Sequence, residues 1–125
     1  MRVLLLVCAL APAVGMAQTR ADMQCKAAGK DLIYNCTIRL ARADQPLEGA
    51  QLTVAATMPS MPEAHAVKPV KARPGKGPGE YLVRLDLDMQ GDWDVKLRLS
   101  GPVRDQLVLR YEFDERGGRP LRRPK

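Results

Sequence analysis

Aromatic side chains are scarce in this chain: one Trp, three Tyr and one Phe in 125 residues. Surfaces that hold single-stranded nucleic acid stack successive bases on several such rings within a basic groove. The net charge of +6 therefore does not by itself point to nucleic acid. Residues of the kind that make catalytic centres are also few. There is one His, His65, and Ser60 and Ser100 are the only serines. Neither serine stands in a nucleophile motif, and no phosphate-cradling glycine loop follows a strand. Asp86, Asp92 and Asp94 alternate with Arg84, Lys96 and Arg98, which reads as cross-strand charge pairing on a wet face. No enzyme is expected. A long apolar run is missing as well, so after its first residues the chain has nothing able to span a membrane.

The one apolar run, residues 3–14, lies behind Arg2 and ahead of Gly15-Met16-Ala17. A positive start, a short apolar core and small residues flanking Met16 make a secretory signal pattern. Residues 1–17 are read as a cleaved signal peptide and the mature chain as periplasmic. Cleavage removes Cys8 and leaves Cys25 and Cys36, which in an oxidising compartment most simply form a disulfide. The turn residues 28–31 between two strand-forming flanks bring these cysteines opposite one another. Metal ligation by the pair is the alternative, but their spacing is far from a Cys-x-x-Cys motif.

The mature chain alternates. Tyr81, Val83, Leu85 and Leu87 fall on every second position, as do Trp93, Val95, Leu97 and Leu99. A period of two means strands with one buried and one wet face. The short stretch 89–91 predicts that these two runs fold back on each other as an antiparallel hairpin. Further runs end at Arg42, start at Gln51, resume near Glu63 and finish at Leu107, Leu109, Tyr111 and Phe113. Pro46 with Gly49, Pro59 with Pro62, and the Gly/Pro-rich stretch 74–79 punctuate them. The pattern predicts an all-β domain over residues 18–113, an immunoglobulin-like β-sandwich of about seven antiparallel strands. Residues 114–125, with Arg116, Arg119, Arg122, Arg123 and Lys125 among glycines and prolines, are expected to be a basic flexible tail.

One stretch suggests chemistry: Met58-Pro59-Ser60-Met61-Pro62-Glu63-Ala64-His65. Thioether sulfur and imidazole suit Cu(I), whereas Glu63 offers a hard oxygen. Loops of an antiparallel sandwich alternate between its two ends, so the turn holding Met89 is expected to share an end with this loop. Met58, Met61, His65 and Met89 are the candidate ligands. The competing reading makes the methionines packing at the rim of the core.

Pro46-Leu47-Glu48-Gly49-Ala50, Met58-Pro-x-Met61-Pro with His65, Gly79-Glu80-Tyr81 and Met89-x-Gly-x-Trp93 together resemble the YtkA-like/FixH-like family. The resemblance covers roughly residues 40–99. It implies an exported or membrane-tethered β-sandwich associated with copper handling or oxidase assembly, and it singles out Met58, Met61 and His65. The resulting expectation is a periplasmic protein that holds Cu(I) and passes it to, or takes it from, a partner in the envelope. The alternative is a metal-free immunoglobulin-like interaction module in an envelope assembly.

Overall fold

The structure, a computed structural model, describes residues 18–121. The expected signal peptide with Cys8, and residues 122–125 of the expected tail, lie outside the described residues. The chain is all-β. Its strands are β1 (Thr19–Ala27), β2 (Ile33–Arg42), β3 (Gln45–Pro46), β4 (Gln51–Thr57), β5 (Ala66–Lys71), β6 (Arg73–Pro74), β7 (Glu80–Asp86), β8 (Gly91–Gly101), β9 (Asp105–Phe113) and β10 (Gly117–Pro120). Among the described residues ten strands stand where about seven were expected, and the surplus is short: β3 and β6 have 2 residues each and β10 has 4.

All pairings are antiparallel, and they run in the order β5-β4-β8-β9-β10-β1-β2-β7-β6, with β3 hanging on β2. The path folds over into a sandwich. Strands β5, β4, β8 and β9 form one half and β1, β2, β7 and β6 the other, with a single buried apolar cluster drawn from both. Strand β10 joins the halves along one side. Along the other, the chain passes from β5 to β6 through Ala72 alone, a buried residue whose N–H donates to the Leu52 carbonyl at 2.9 Å. A strand that changes sheets in this way leaves the side closed.

Strands β1, β2, β4, β7 and β8 bury the face their alternation predicts, whereas β5 leaves Ala66 and Val70 exposed and covers only Val67 in part. Trp93, Val95 and Leu97 on β8, Val54 and Ala56 on β4, and Ile38 and Leu85 on the opposite half are all fully buried. Cys25 and Cys36 face each other in the β1–β2 register and are bonded, with their Cα atoms 4.1 Å apart.

Three expectations are corrected. The runs at 81–87 and 93–99 do not form a hairpin. Strand β7 lies between β2 and β6, whereas β8 lies between β4 and β9. A period of two buries one face equally well beside a neighbour in the same sheet or against the opposite sheet, so alternation could not distinguish them. The second correction is in the presumed loop after Arg42. There Ala43 and Asp44 both take positive φ, 50° and 60°, and turn the chain straight into β3.

The third correction is the tail, whose first part carries β10. Its glycines are sites of close approach, not of looseness. A Cβ on Gly117 would stand 2.3 Å from the Cys25 carbonyl oxygen, and one on Gly118 2.5 Å from the Phe113 ring. Asp114 organises the turn into β10. Its Oδ1 accepts from the N–H groups of Arg116 and Gly117 at 2.9 and 3.2 Å, and its Oδ2 accepts from the Arg119 guanidinium. These donors, the Arg116 N–H first, hold the Asp114 carboxyl below its ordinary pKa.

Candidate functional site

The candidate site is built from two connections at one end of the sandwich. The first, residues 58–65, links β4 to β5. Backbone bonds close it tightly: Met61 N–H donates to the Met58 carbonyl (3.1 Å), His65 N–H to the Met61 carbonyl (3.2 Å), and Met58 N–H to the His65 carbonyl (3.3 Å). Steps of three and four residues turn the chain once, so Met58, Met61 and His65 are tied together through their backbones. Pro59 and Pro62 fit because neither supplies an N–H to this set.

The second connection, residues 87–90, carries the chain from β7 across to β8. Leu87 N–H donates to the Leu32 carbonyl at 2.8 Å. The Trp93 indole N–H donates to the Met89 carbonyl at 3.1 Å. Trp93 is fully buried, so the only Trp both fills the core and pins the backbone beneath Met89. Gly91 takes a φ of 130°, and a Cβ there would lie 3.2 Å from the Met58 methyl.

The two connections meet, as the alternation of sandwich loops predicts. The Met58 methyl reaches Gly91, and His65 Nδ1 lies 2.8 Å from Asp88 Oδ2. The four expected residues do not behave alike, however. Met58 is buried, only 4% exposed, whereas Met61 and Met89 are 38% and 41% exposed. Met58 continues the inward series Leu52, Val54, Ala56 by one step beyond β4. Its thioether packs in the core, as the competing reading of the methionines has it, and is not exposed with the other candidate ligands. Met61 and Met89 stand at the surface, two of only four large hydrophobic side chains so exposed among the described residues; Val70 and Val108 are the others.

The His65 ring is half-sheltered, with 24% of its side chain exposed, and Asp88 is more open at 56%. Sequence reasoning missed Asp88. The signal was present: it follows inward Leu87 and precedes Met89 in the turn already expected at this end. Among the described residues no three His, Cys, Asp or Glu side chains gather closely enough to hold a metal ion. A cation bound at this end would therefore have to draw on thioethers, which with imidazole make a soft, uncharged donor set.

Tyrosines anchor the rest of the frame. At the opposite end the Tyr81 hydroxyl donates to the Leu47 carbonyl (2.7 Å) and accepts from Ala50 N–H (2.9 Å), holding the loop after β3. Beside it a hollow of about 360 Å³ is lined by Glu48, Lys76, Glu80 and the intervening glycines and prolines, with none of the candidate ligands.

A family model described as YtkA-like matches residues 21–98. The matched span contains both disulfide cysteines and both connections of the candidate site, and stops before β9. No curated protein and no solved structure matches the chain.

Proposed function

The chain belongs to the YtkA-like family, and on that premise we propose that it is a periplasmic, non-enzymatic domain that holds Cu(I) for delivery or homeostasis. What supports this reading is that two exposed methionines and one histidine stand on connections that meet at a single end of the sandwich. Met61 and His65 come from one connection and Met89 from the other, and the His65–Asp88 contact at 2.8 Å ties the two together. Thioether and neutral imidazole bind a soft monovalent ion without first losing a proton from a strongly basic group. In an exported compartment thioethers remain available where thiols become disulfides, and the two cysteines of the fold are already bonded to each other. Met58 serves by supporting Gly91, hence the turn that carries Met89, from below. The partner is a copper donor or acceptor protein of the envelope.

The test is an anaerobic competition titration of the purified protein against a chromogenic Cu(I) chelator. One equivalent of copper is withdrawn by the unaltered protein, and none by the Met61→Ala/His65→Ala/Met89→Ala variant. A folded protein that never competes with the chelator overturns the reading. The burial of Met58 favours a second one, in which Met58 is packing and the domain is a metal-free interaction module. On that reading the same triple variant leaves partner capture unchanged.

A further inference from the structure

We propose that Asp88 is the positioning residue of His65: it fixes the imidazole as the Nδ1–H tautomer and so leaves Nε2 unprotonated, the nitrogen open to a metal ion. The inference rests on the copper reading above and goes beyond it by naming the group that makes the imidazole a ligand. It begins with the 2.8 Å separation between His65 Nδ1 and Asp88 Oδ2, within hydrogen-bond range. An ionised carboxylate only accepts. A bare Nδ1 facing it would set lone pair against lone pair, so the proton lies on Nδ1. In a neutral ring the remaining lone pair is then on Nε2. Metal-binding histidines use this division of labour, one nitrogen held by a carboxylate and the other on the metal.

The backbone supports the same assignment. His65 is fixed through its N–H to Met61 and through its carbonyl to Met58, so the ring has little freedom beyond its own side-chain torsions. Asp88 is the immediate neighbour of Met89, whose carbonyl is held by Trp93. The contact therefore orients the nitrogen donor and also joins the connection bearing Met61 to the turn bearing Met89. An exposed carboxylate adds little to stability. Its consequence lies in which ring nitrogen is open.

Nitrogen-15 NMR of the metal-free protein, taken as a pH series up to the neutral ring, reads the tautomer without copper. The unaltered protein is expected to show the proton on Nδ1. Asp88→Ala is expected to move it to Nε2, and Asp88→Asn, whose amide oxygen still accepts, to keep it on Nδ1. In the Cu(I) titration Asp88→Ala then weakens binding about tenfold or more, while Asp88→Asn restores most of it. A proton on Nε2 in the unaltered protein, or a tautomer indifferent to Asp88→Ala, overturns the assignment. Equal copper affinity of Asp88→Ala and the unaltered protein overturns the positioning role. If the unaltered protein binds no copper, the proposed function falls while the tautomer measurement still decides whether Asp88 sets the ring.

Discussion

Ala43 and Asp44 show how a local penalty is carried by a fold that needs it. Both residues sit at positive φ in a two-residue connection between the paired residues Arg42 and Gln45. Residues with a Cβ enter that region at a cost of about 1–2 kcal/mol, and Asn-Gly is the pair that suits it. The double change Ala43→Asn/Asp44→Gly is expected to raise stability by about 1 kcal/mol, read from the urea midpoint; an unmoved midpoint would contradict it. The three candidate methionines divide by the same measurement. Met58→Ala empties a buried site and is expected to cost about 2–5 kcal/mol. Met61→Ala and Met89→Ala, at the surface, should stay within about 0.5 kcal/mol. On the proposed copper reading the order reverses, with the exposed pair as donors and Met58 acting only through Gly91.

At the scale of the strand, β10 and the disulfide hold the same place from two sides. Strand β10 pairs with β1 at Cys25 and Lys26, and Cys25 is bonded to Cys36 on β2. Cysteines separated by 11 positions close a short loop, so Cys25→Ala/Cys36→Ala is expected to cost about 3 kcal/mol in denaturant titrations; a loss near zero would mean the strands need no link. The turn into β10 makes a pH-dependent contribution. Asp114 has its pKa lowered in the folded protein from an unfolded value of 3.8, so its stabilising effect is present above that value. It is lost as pH falls through the folded pKa. Asp114→Asn is expected to be less stable than the unaltered protein at neutral pH and to converge with it on acidification below about pH 4. Parallel acid limbs for the two proteins would rule this out.

For the whole molecule the question is what keeps two half-sandwiches in register. Where β10 ends, a side chain takes over. The buried Tyr111 hydroxyl of β9 donates to the Met23 carbonyl on β1 at 2.6 Å and accepts from the Met23 N–H at 3.3 Å. One phenol thus satisfies both backbone groups of a residue in the other half, and burial pushes the Tyr111 hydroxyl above its ordinary pKa. Tyr111→Phe keeps the ring and strands both Met23 groups, a loss of about 1–3 kcal/mol. Faster amide exchange at Met23 should accompany it, and a variant as stable as the parent would show that water replaces the phenol.

The sequence alone determined the class of fold, the inward series of β2, β4, β7 and β8, the pairing of Cys25 with Cys36 and the end of the sandwich where the two connections meet. All of these follow from period-two alternation and turn chemistry, which act over neighbouring residues and so can be read along the chain. The same local rules reached Met61, His65 and Met89 by residue type. They left Met58 open between ligand and core, although Leu52, Val54 and Ala56 already led to the core. Only the tertiary structure decided that β7 and β8 lie on opposite halves. It alone showed that Gly117 and Gly118 are glycines because β1 and Phe113 press on them, and that Asp88 reaches His65. Those outcomes depend on which surfaces are brought together, and a buried face, a small residue or a free carboxylate has the same local signature whichever partner meets it.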